Sequence, residues 1–482
     1  MITPLPSAGC ASSPQAERRS PSCPRTANGH GRPGSMRLAD TLRLGAYLAR
    51  TRWLLRFRNR AAFDDWQRRQ VQRFLDKHLP LSPFYRDYAG QPLSALPVID
   101  KQTMLARFDD MNTAGVSLDE ATRVALAAET TRDFAPELRG MTVGLSSGTQ
   151  GTRGVFLVAH EERARWAGIM MARTLPNALM RRLLIGARPV KVAFFLRANS
   201  NLYTTLKSRR VDFRFHDLLR GVDCHLPALI EQQPDLVVAP ASILARLAQH
   251  AANGALPIRP QRIISVAEVL EADDKARIEQ AFGMNVHQLY QCTEGFLGYT
   301  CEAGVLHLNE EFVHIEPEWL DKERTRFVPI VTDFSRTTQL IVRYRLDDVL
   351  RVRLTPCACG AAGRAIEAVE GRCDDVLWLP GAHHGALVAL YPDMVRQAVT
   401  SAPAALPDYR IEQHGMAWRI AVADEAEASH AALTASLQRL AARHALTPPV
   451  FQRMPFADTD AHVKRRRIRC VGRPATNQEN HA

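Results

Sequence analysis

The middle of the chain alternates short runs of β-forming apolar residues with runs of helical periodicity. Between about residues 123 and 372, seven such runs follow one another in alternating order. The predicted strands are Val190–Leu196, Asp235–Ala239, Arg262–Val266 and Val286–Tyr290, and the predicted helices are Leu226–Gln232, Ser242–Ala252 and Asp273–Phe282. Because strands that are joined by crossover helices run parallel, the order predicts a parallel sheet with ligands at the carboxyl ends of its strands.

Downstream of this region the apolar spacing shortens to about two residues, which predicts an antiparallel subdomain. Its strands are predicted at Phe327–Thr332, Gln339–Tyr344 and Val349–Leu354. After about Cys373 a smaller unit follows, with helices at 392–399 and 430–444 and a strand pair within 409–422. The predicted fold class is α/β: a large N-terminal domain with mixed and parallel sheets, crossover helices and an antiparallel subdomain, then a small mobile α+β domain.

The chain of 482 residues carries a net charge of +12 that is concentrated at its two ends. Residues 1–60 contain eleven arginines and two acidic residues, and residues 464–473 contain six basic residues and no acidic one. The body between them is nearly neutral. Since a nucleic-acid-binding domain carries its basic surface on the folded body, this distribution argues against nucleic acid as a partner.

The N-terminal part of the basic excess has two interpretations. Residues 37–78 show helical apolar spacing with interleaved arginines, which predicts either a helical layer packed on the body or a basic amphipathic helix on a membrane surface. Residues 1–36 are rich in Pro, Ser and Gly and lack the apolar segment of a secretory signal, so we expect a disordered or wrongly annotated extension. No apolar run approaches the roughly 20 residues that span a bilayer.

The nine cysteines are an odd number scattered over a long chain. Without an export signal, this pattern predicts reduced thiols or metal ligands rather than a disulfide framework. We therefore expect a cytoplasmic protein with at most peripheral membrane contact.

A glycine-rich segment, Leu145–Gly154, is the strongest local signal for a binding site. Its ten residues include three glycines, two serines and two threonines. Exposed amides and hydroxyls in such a loop can surround a polyphosphate, with Arg153 opposing its charge, although a plain turn is the alternative. The loop lacks the Gly-Lys-Ser/Thr ending of the Walker type.

This loop and five further segments resemble, in chain order, the acyl-adenylate-forming ligases, in particular the branch of phenylacetate-CoA ligase and the deazaflavin-cofactor adenylating synthetases. The resembling segments are Ser82–Arg86 with Leu96–Lys101, Val266–Glu268, Tyr290–Glu294, Arg343–Asp348 and Gly371–Asp375. This sequence departs from the family pattern at Val266 and Gln291, where the family has glycine.

The resemblance implies an ATP and AMP site built from the matching positions. These are Ser146, Ser147, Gly148, Thr149, Gly151, Arg153, Ala267, Glu268, Tyr290, Thr293, Asp348 and Arg372. Within it, Thr293 would contact the α-phosphate, Glu294 would bind Mg²⁺, and Asp348 would accept both ribose hydroxyls, with Asp347 fitting the motif register less well. Asp374 would be the hinge of the C-terminal domain. The alternative at each position is an ordinary solvated loop or turn.

The C-terminal segment His462–Ile468 resembles the GKxxRV ending that carries the adenylation lysine of the family. On this basis Lys464 is a catalytic residue together with Thr293 and Arg372, and a solvated basic cluster is the alternative. Val463 stands here in place of the family's glycine.

Three cysteines and one histidine, Cys301, His307, Cys357 and Cys359, form an adequate ligand set for a closed tetrahedral zinc site. On the spacing alone, the alternative is that these are buried or incidental thiols that bind no metal. Some members of the resembled branch carry a structural zinc in similar segments, and the resemblance therefore implies zinc here.

The resemblance implies two domains and an activity. We expect an adenylation domain at 37–373, a small cap at 374–473, and a disordered tail at 474–482. The cofactors would be ATP and Mg²⁺, the substrate an aryl or fatty carboxylic acid, and the acceptor a thiol of CoA or of a carrier protein's phosphopantetheine arm. A homodimer is left open. The alternative from another class is a non-catalytic nucleotide-binding or membrane-associated scaffold of the same fold.

Overall fold

The computed structural model describes residues 37–131, 137–146, 153–196, 208–383, 385–402, 406, 408–457 and 466–474. The α-helices in this part of the chain are α1 (Leu38–Ala49), α2 (Arg60–His78), α3 (Lys101–Ala106), α4 (Phe108–Met111), α5 (Leu118–Thr131), α6 (His160–Thr174), α7 (Asn177–Ile185), α8 (Leu226–Gln232), α9 (Ala241–Ala252), α10 (Ala272–Phe282), α11 (Pro392–Thr400) and α12 (Glu427–Arg443). Short 3-10 turns lie at Leu79–Leu81, Arg86–Tyr88, Leu93–Ala95, Leu218–Arg220, Asp223–His225 and Cys373–Asp375, and a π-helical turn at Arg50–Leu54.

Most of the strands belong to one large mixed sheet. The first twelve strands are β1 (Met141–Leu145), β2 (Val155–Ala159), β3 (Val190–Leu196), β4 (Val211–Asp217), β5 (Leu236–Ala239), β6 (Arg262–Ser265), β7 (Val286–Cys292), β8 (Gly295–Thr300), β9 (Leu306–Leu308), β10 (Val313–Trp319), β11 (Arg326–Asp333) and β12 (Tyr344–Arg345). The others are β13 (Asp348–Val352), β14 (Ala365–Arg372), β15 (Leu377–Pro380), β16 (Leu387–Leu390), β17 (Tyr409–His414), β18 (Ala417–Val422), β19 (Val450–Arg453) and β20 (Ile468–Gly472).

The predicted parallel core is confirmed. Strands β4, β3, β5, β6 and β7 lie side by side in that order and every pair is parallel, with the crossover helices packed against them. The bounds of β3 agree with the prediction, those of β5, β6 and β7 differ from it by one or two residues, and β4 was not predicted. Strand β7 also pairs antiparallel with β8, so it joins the parallel half to an antiparallel half that continues through β9, β14, β13, β11 and β10. The predicted fold class therefore holds.

The prediction of a strand at Gln339–Tyr344 was wrong for most of its length. Only Tyr344 and Arg345 form a strand, and Gln339 makes a single isolated bridge to Asn112. The side chain of Gln339 accepts a hydrogen bond from the backbone N–H of Leu157 (3.1 Å) and donates to the carbonyl oxygen of Val155 (3.1 Å). This buried segment is held by side-chain hydrogen bonds to β2, which periodicity cannot distinguish from strand pairing.

The C-terminal part of the chain has its own sheet and its own core. Strands β19, β18, β17 and β20 form a four-stranded sheet, and α11 and α12 contribute to one apolar cluster that includes the fully buried Trp418. The division into domains at residues 373 and 374 stays a prediction.

Helix α1 packs closely on α6. A Cβ atom at Gly168 would lie 2.4 Å from the carbonyl oxygen of Leu44, so this contact requires glycine. The opposite face of α1 leaves Leu38 and Leu42 exposed. The packed helical layer predicted from the sequence is therefore present, and the membrane-surface role of this segment stays an alternative. Among the described residues, the search for helices long and apolar enough to cross a bilayer found none.

A buried ion cluster ties α2 to the sheet, and we expect its loss to be costly. Glu310 is fully buried, and its carboxylate accepts hydrogen bonds from Arg60 (2.7 Å) and from the backbone and side chain of Arg364 (2.6 and 2.9 Å). Glu310→Gln should lower the free energy of unfolding by about 1 to 3 kcal/mol, because the amide loses the charge that binds two partly exposed arginines, of which Arg60 keeps its ion pair with Asp64 (2.8 Å). Urea denaturation measures this change.

The exposed ion pair of Glu367 with Arg353 is the control. Glu367→Gln should lower the free energy of unfolding by about 1 kcal/mol or less. Equal losses in the two variants would contradict the account.

The same carboxylate gives this stabilisation a pH dependence. Burial acts to raise the pKa of Glu310, but Arg364 and Arg60 outweigh burial and lower it. Because the folded pKa lies below the unfolded value of about 4.3, the contribution is complete above that value and is lost as the pH falls through the folded pKa.

Candidate active site

A cleft of about 710 Å³ lies at the carboxyl ends of β3, β5, β6 and β7, which is where a parallel sheet places its ligands. It contains all the described residues that the sequence predicted for the ATP and Mg²⁺ site. These are Ser146, Arg153, Ala267, Glu268, Tyr290, Thr293, Glu294, Asp348 and Arg372. The predicted Ser147, Gly148, Thr149, Gly151 and Lys464 lie outside the described residues.

The two ends of the glycine-rich segment are closed by hydrogen bonds. The backbone N–H of Ser146 donates to the carbonyl oxygen of Gly154 (2.7 Å), and the backbone N–H of Gly154 donates to Ser146 Oγ (2.7 Å). Arg153 donates to the Ser146 carbonyl oxygen (2.8 Å) and forms a two-pronged ion pair with Glu129 (2.6 Å for each bond). Arg153 thus braces the base of the loop, and its predicted contact with phosphate stays a prediction.

The backbone at the edge of the cleft after β6 has a conformation that residues other than glycine seldom adopt. Ala267 has a φ of 65°, in the left-handed region where a Cβ atom is disfavoured. The next residue, Glu268, accepts a hydrogen bond from the backbone N–H of Ser242 (3.0 Å), in the first turn of α9. A carboxylate at a helix N-terminus is stabilised by the unpaired amides there. This contact fixes the turn that presents Ala267 to the cleft.

Asp348 begins β13 and faces the end of β7. The Tyr290 hydroxyl donates to Asp348 Oδ2 (2.7 Å). Burial, and then the Asp348 carboxylate, raise the pKa of Tyr290 well above its usual value, so the hydroxyl stays protonated and keeps donating. A carboxylate that is oriented in this way can accept two vicinal hydroxyl groups through its other lone pairs.

Thr293 and Glu294 form the tight turn between β7 and β8. The Thr293 hydroxyl donates to Glu294 Oε2 (2.9 Å), and the buried Arg336 donates to the Thr293 carbonyl oxygen. Burial, and then the Glu294 carboxylate, raise the pKa of Tyr344, which also hydrogen-bonds Glu294. A carboxylate held by two hydroxyl groups at the cleft is suited to a hard cation such as Mg²⁺.

Arg372 stands at the end of β14 among three carboxylates. It bonds Asp347 (2.8 Å) and approaches Asp374 (3.7 Å). Burial acts to lower the pKa of Arg372, but Asp348, Asp374 and Asp347 outweigh it and raise the pKa. The side chain is therefore a fixed cation at the wall of the cleft.

The hinge candidate Asp374 is held by the C-terminal segment. Arg466 bonds the carboxylates of Asp374 (2.9 and 3.0 Å) and Asp375 (2.8 Å). The next residue, Arg467, bonds Asp408 (2.8 Å) and Asp274 (3.3 Å). The start of β20 is thus anchored both to the turn Cys373–Asp375 and, through Asp274, to α10.

Sequence reasoning missed six basic residues that line the cleft: Lys101, Arg336, Arg345, Arg396, Arg466 and Arg467. Lys101 was part of a resembling segment but received no role. Burial, and then the nearby Arg372, lower the pKa of Lys101. The sequence indicates a solvated basic cluster at Arg466 and Arg467, because a run of arginines does not reveal that distant carboxylates form ion pairs with it.

The four candidate zinc ligands converge at one place. Their ligand atoms all lie within 4.8 Å of one another. The Cys301 and Cys357 sulfurs are 3.6 Å apart, and the Cys359 sulfur is 3.4 Å from His307 Nε2. Zinc bonds of about 2.0 to 2.3 Å at tetrahedral angles separate ligand atoms by about 3.5 to 3.8 Å, so the arrangement fits the ion. His307 Nδ1 lies 3.2 Å from the Gly363 carbonyl oxygen, which leaves Nε2 for a metal.

The cluster and the cleft lie at opposite ends of β8. Glu294 immediately precedes this strand and Cys301 immediately follows it, so an extended chain separates them by roughly 20 Å. The four side chains bring the turn after β8 next to the segment before β14.

Comparison with solved structures identifies the architecture. A 2-hydroxyisobutyryl-CoA ligase in the postadenylation state, in complex with 2-HIB-AMP, superposes with a TM-score of 0.58 at 16% identity, covering 86% of this chain and 90% of that one. The chain has the fold of an adenylate-forming CoA ligase. The same ligase with R3-HIB-AMP gives 0.57 at 17% identity, covering 86% and 90%, and its open conformation with 2-HIB-AMP and CoA gives 0.51 at 17%, covering 86% and 92%. No protein-family model matches the chain, and no curated protein matches it either.

Proposed function

We propose that this protein is an ATP-dependent ligase that activates a carboxylic acid as an acyl-adenylate. The observation that carries the proposal is the convergence of Asp348, Glu294 and Arg372 on one cleft at the carboxyl edge of the sheet. A carboxylate for the ribose, a carboxylate for the metal and a fixed cation for the phosphates are what adenylation requires.

In the proposed reaction a carboxylate oxygen of the substrate attacks the α-phosphorus of ATP. The bond from that phosphorus to the bridging oxygen breaks, and pyrophosphate leaves with its electron pair. Asp348 orients the ribose, Arg372 and Thr293 stabilise negative charge on the phosphates, and Glu294 would hold Mg²⁺, which neutralises charge on the leaving group. Lys464 would bridge the two reacting anions. Arg466, two residues after it, lines the cleft and so supports this role.

In the second half of the proposed reaction a thiol takes the acyl group and AMP leaves. The acceptor would be CoA, or the pantetheine arm of a carrier protein, after the cap at 374–473 turns about Asp374. The phenylacetate-CoA ligase branch is the proposed place of the chain within this fold. The carrier-protein partner, the homodimer and the cytoplasmic location stay predictions.

We further propose that Cys301, His307, Cys357 and Cys359 hold a structural zinc ion. Cys301→Ser should reduce the bound zinc from one equivalent to none and lower the melting temperature, because a structural zinc contributes folding free energy directly. Elemental analysis of the purified protein measures the first effect and calorimetry the second. The exposed Cys224 is the control, since Cys224→Ser should leave the zinc content at one equivalent. Equal zinc in the Cys301→Ser variant and the unaltered protein would refute the site.

Acid-dependent exchange of labelled pyrophosphate into ATP tests the proposed activity. We expect exchange with at least one acid from a panel of aryl and aliphatic acids, and a fall of about 100-fold in Lys464→Ala. No exchange with any acid, together with ATP binding that Lys464→Ala does not change, would favour the scaffold. The residues that replace family glycines, Val266, Gln291 and Val463, are the reason to include that outcome.

A further inference from the structure

A second, smaller cavity opens beside the cleft. Its volume is about 100 Å³, and it lies between α6 and the face of β3, β4, β5, β6 and β7. Five residues line both cavities: Trp166, Leu196, Ala267, Leu289 and Gln291. The small cavity is therefore reached from the point where a substrate carboxylate would meet ATP.

The walls of this cavity are apolar almost throughout. Valine, leucine, isoleucine, methionine and phenylalanine side chains form them, including Met170, Phe194, Phe213 and Val238. No residue that lines it in the described part of the chain carries a charge. The hydroxyl of Thr174 is already used, since it donates to the Met170 carbonyl oxygen (2.8 Å). Gln291 stands at the mouth, where the two cavities meet.

We propose that this cavity holds the acyl tail of the substrate and selects a small apolar group, either a single ring or a chain of about six carbons or fewer. The inference rests on the proposed function and names its substrate class. A hydroxyl or charged group on the tail would lose its water without gaining a partner, which is costly. The size limit follows from comparison with an apolar cavity of about 150 Å³, which holds one benzene molecule. Because this cavity is smaller, at about 100 Å³, one ring or a chain of about six carbons is an upper bound for the group that it can hold.

Strand β5 offers a matched pair of residues for testing the cavity. Val238 lines it, whereas Val237 faces the opposite side of the sheet and belongs to another apolar cluster. Both side chains are buried, at 4% and 1% exposure. Leucine at either position adds one methylene group to a packed core, so the general cost of overpacking is similar. Only the change at Val238 takes space from the cavity.

The first test is pyrophosphate exchange with a graded series of acids. We expect kcat/KM to be highest with butyrate, hexanoate or benzoate, and to be at least 10-fold lower with decanoate and with 6-hydroxyhexanoate, whose hydroxyl group would lie at the far end of the tail. One methylene or one misplaced hydroxyl in an apolar pocket is worth about 10- to 200-fold. Equal or better use of the hydroxylated or the ten-carbon acid would overturn the inference while leaving the proposed function intact.

The second test uses the variants. Val238→Leu should lower kcat/KM for hexanoate about 10-fold relative to acetate, Val237→Leu should leave that ratio unchanged, and Met170→Ala should improve use of longer acids. If Val238→Leu changed kcat/KM by the same factor for every acid, the cavity would be an ordinary packing void and the inference would be overturned.

A binding measurement separates failure of the cavity from failure of the chemistry. Hexanoate should raise the melting temperature of the unaltered protein more than acetate does, and this difference should shrink in Val238→Leu. If hexanoate raises the melting temperature more than acetate but no acid supports pyrophosphate exchange, the proposed function fails while the cavity remains a binding site for apolar acids. Without the shift and without selective exchange, the inference fails.

Discussion

Asp348→Ala should raise the KM for ATP in pyrophosphate exchange by about 100-fold or more. In the proposed complex this carboxylate accepts hydrogen bonds from both ribose hydroxyls. Each hydrogen bond to a charged group contributes about 1.5 to 3 kcal/mol, and 1.4 kcal/mol corresponds to a factor of ten. The Tyr290 hydroxyl, which donates to Asp348 at 2.7 Å, holds the carboxylate toward the cleft.

The neighbouring Asp347 provides the matched control. It is about half exposed and bonds Arg372 at 2.8 Å, so Asp347→Ala should change the KM for ATP less than 10-fold. Tyr290→Phe should lie between the two, because it removes the group that orients Asp348 but leaves the carboxylate in place. A larger effect for Asp347 than for Asp348 would show that the motif register assigned to this strand is wrong.

Glu294→Gln should lower kcat/KM about 100-fold or more and make the reaction need much higher Mg²⁺. The amide keeps the shape of the side chain and its hydrogen-bonding capacity, but it removes the negative charge that would hold the cation. Metal stabilisation of charge on a transferring phosphoryl group is worth several kcal/mol. Steady-state rates over a range of Mg²⁺ concentrations at saturating acid measure both effects.

The exposed Glu323 serves as the control for this variant, because it is the same residue type outside the cleft. Glu323→Gln should leave the rate and the Mg²⁺ dependence within about twofold of the unaltered protein. An unchanged Mg²⁺ dependence in Glu294→Gln would remove this residue from the metal site, whatever happened to the rate.

Local periodicity was sufficient to predict four of the five strands in the parallel half of the fold. Strands such as Val190–Leu196 are largely buried, so they read as continuous apolar runs that alternate with helical runs. Strand β4 was not predicted, because it alternates buried and partly exposed residues beside β3. Periodicity was insufficient at Gln339, where one buried amide bonds two backbone groups of β2. Alternating apolar residues around such an amide give the same pattern as a strand.

Site residues that belong to a sequence motif were predicted, whereas residues whose partners lie in distant segments were not. Asp348 and Glu294 were found from their motifs, and the fold brings them to one cleft. The partners of Arg466 and Arg467 lie about 60 to 200 residues away, so nothing local reveals that these arginines are paired. The apolar cavity is formed by five strands and one helix, and its volume depends on packing that no single segment encodes.

The fate of the carboxylate oxygen tests the central claim most directly. In adenylation the acid's own oxygen becomes bonded to the α-phosphorus and stays with AMP when the thiol takes the acyl group. With an acid labelled by ¹⁸O in both carboxylate oxygens, mass spectrometry of the products should show one ¹⁸O atom in AMP and unlabelled pyrophosphate. Release of ADP, or of AMP without label while acid is consumed, would contradict the account.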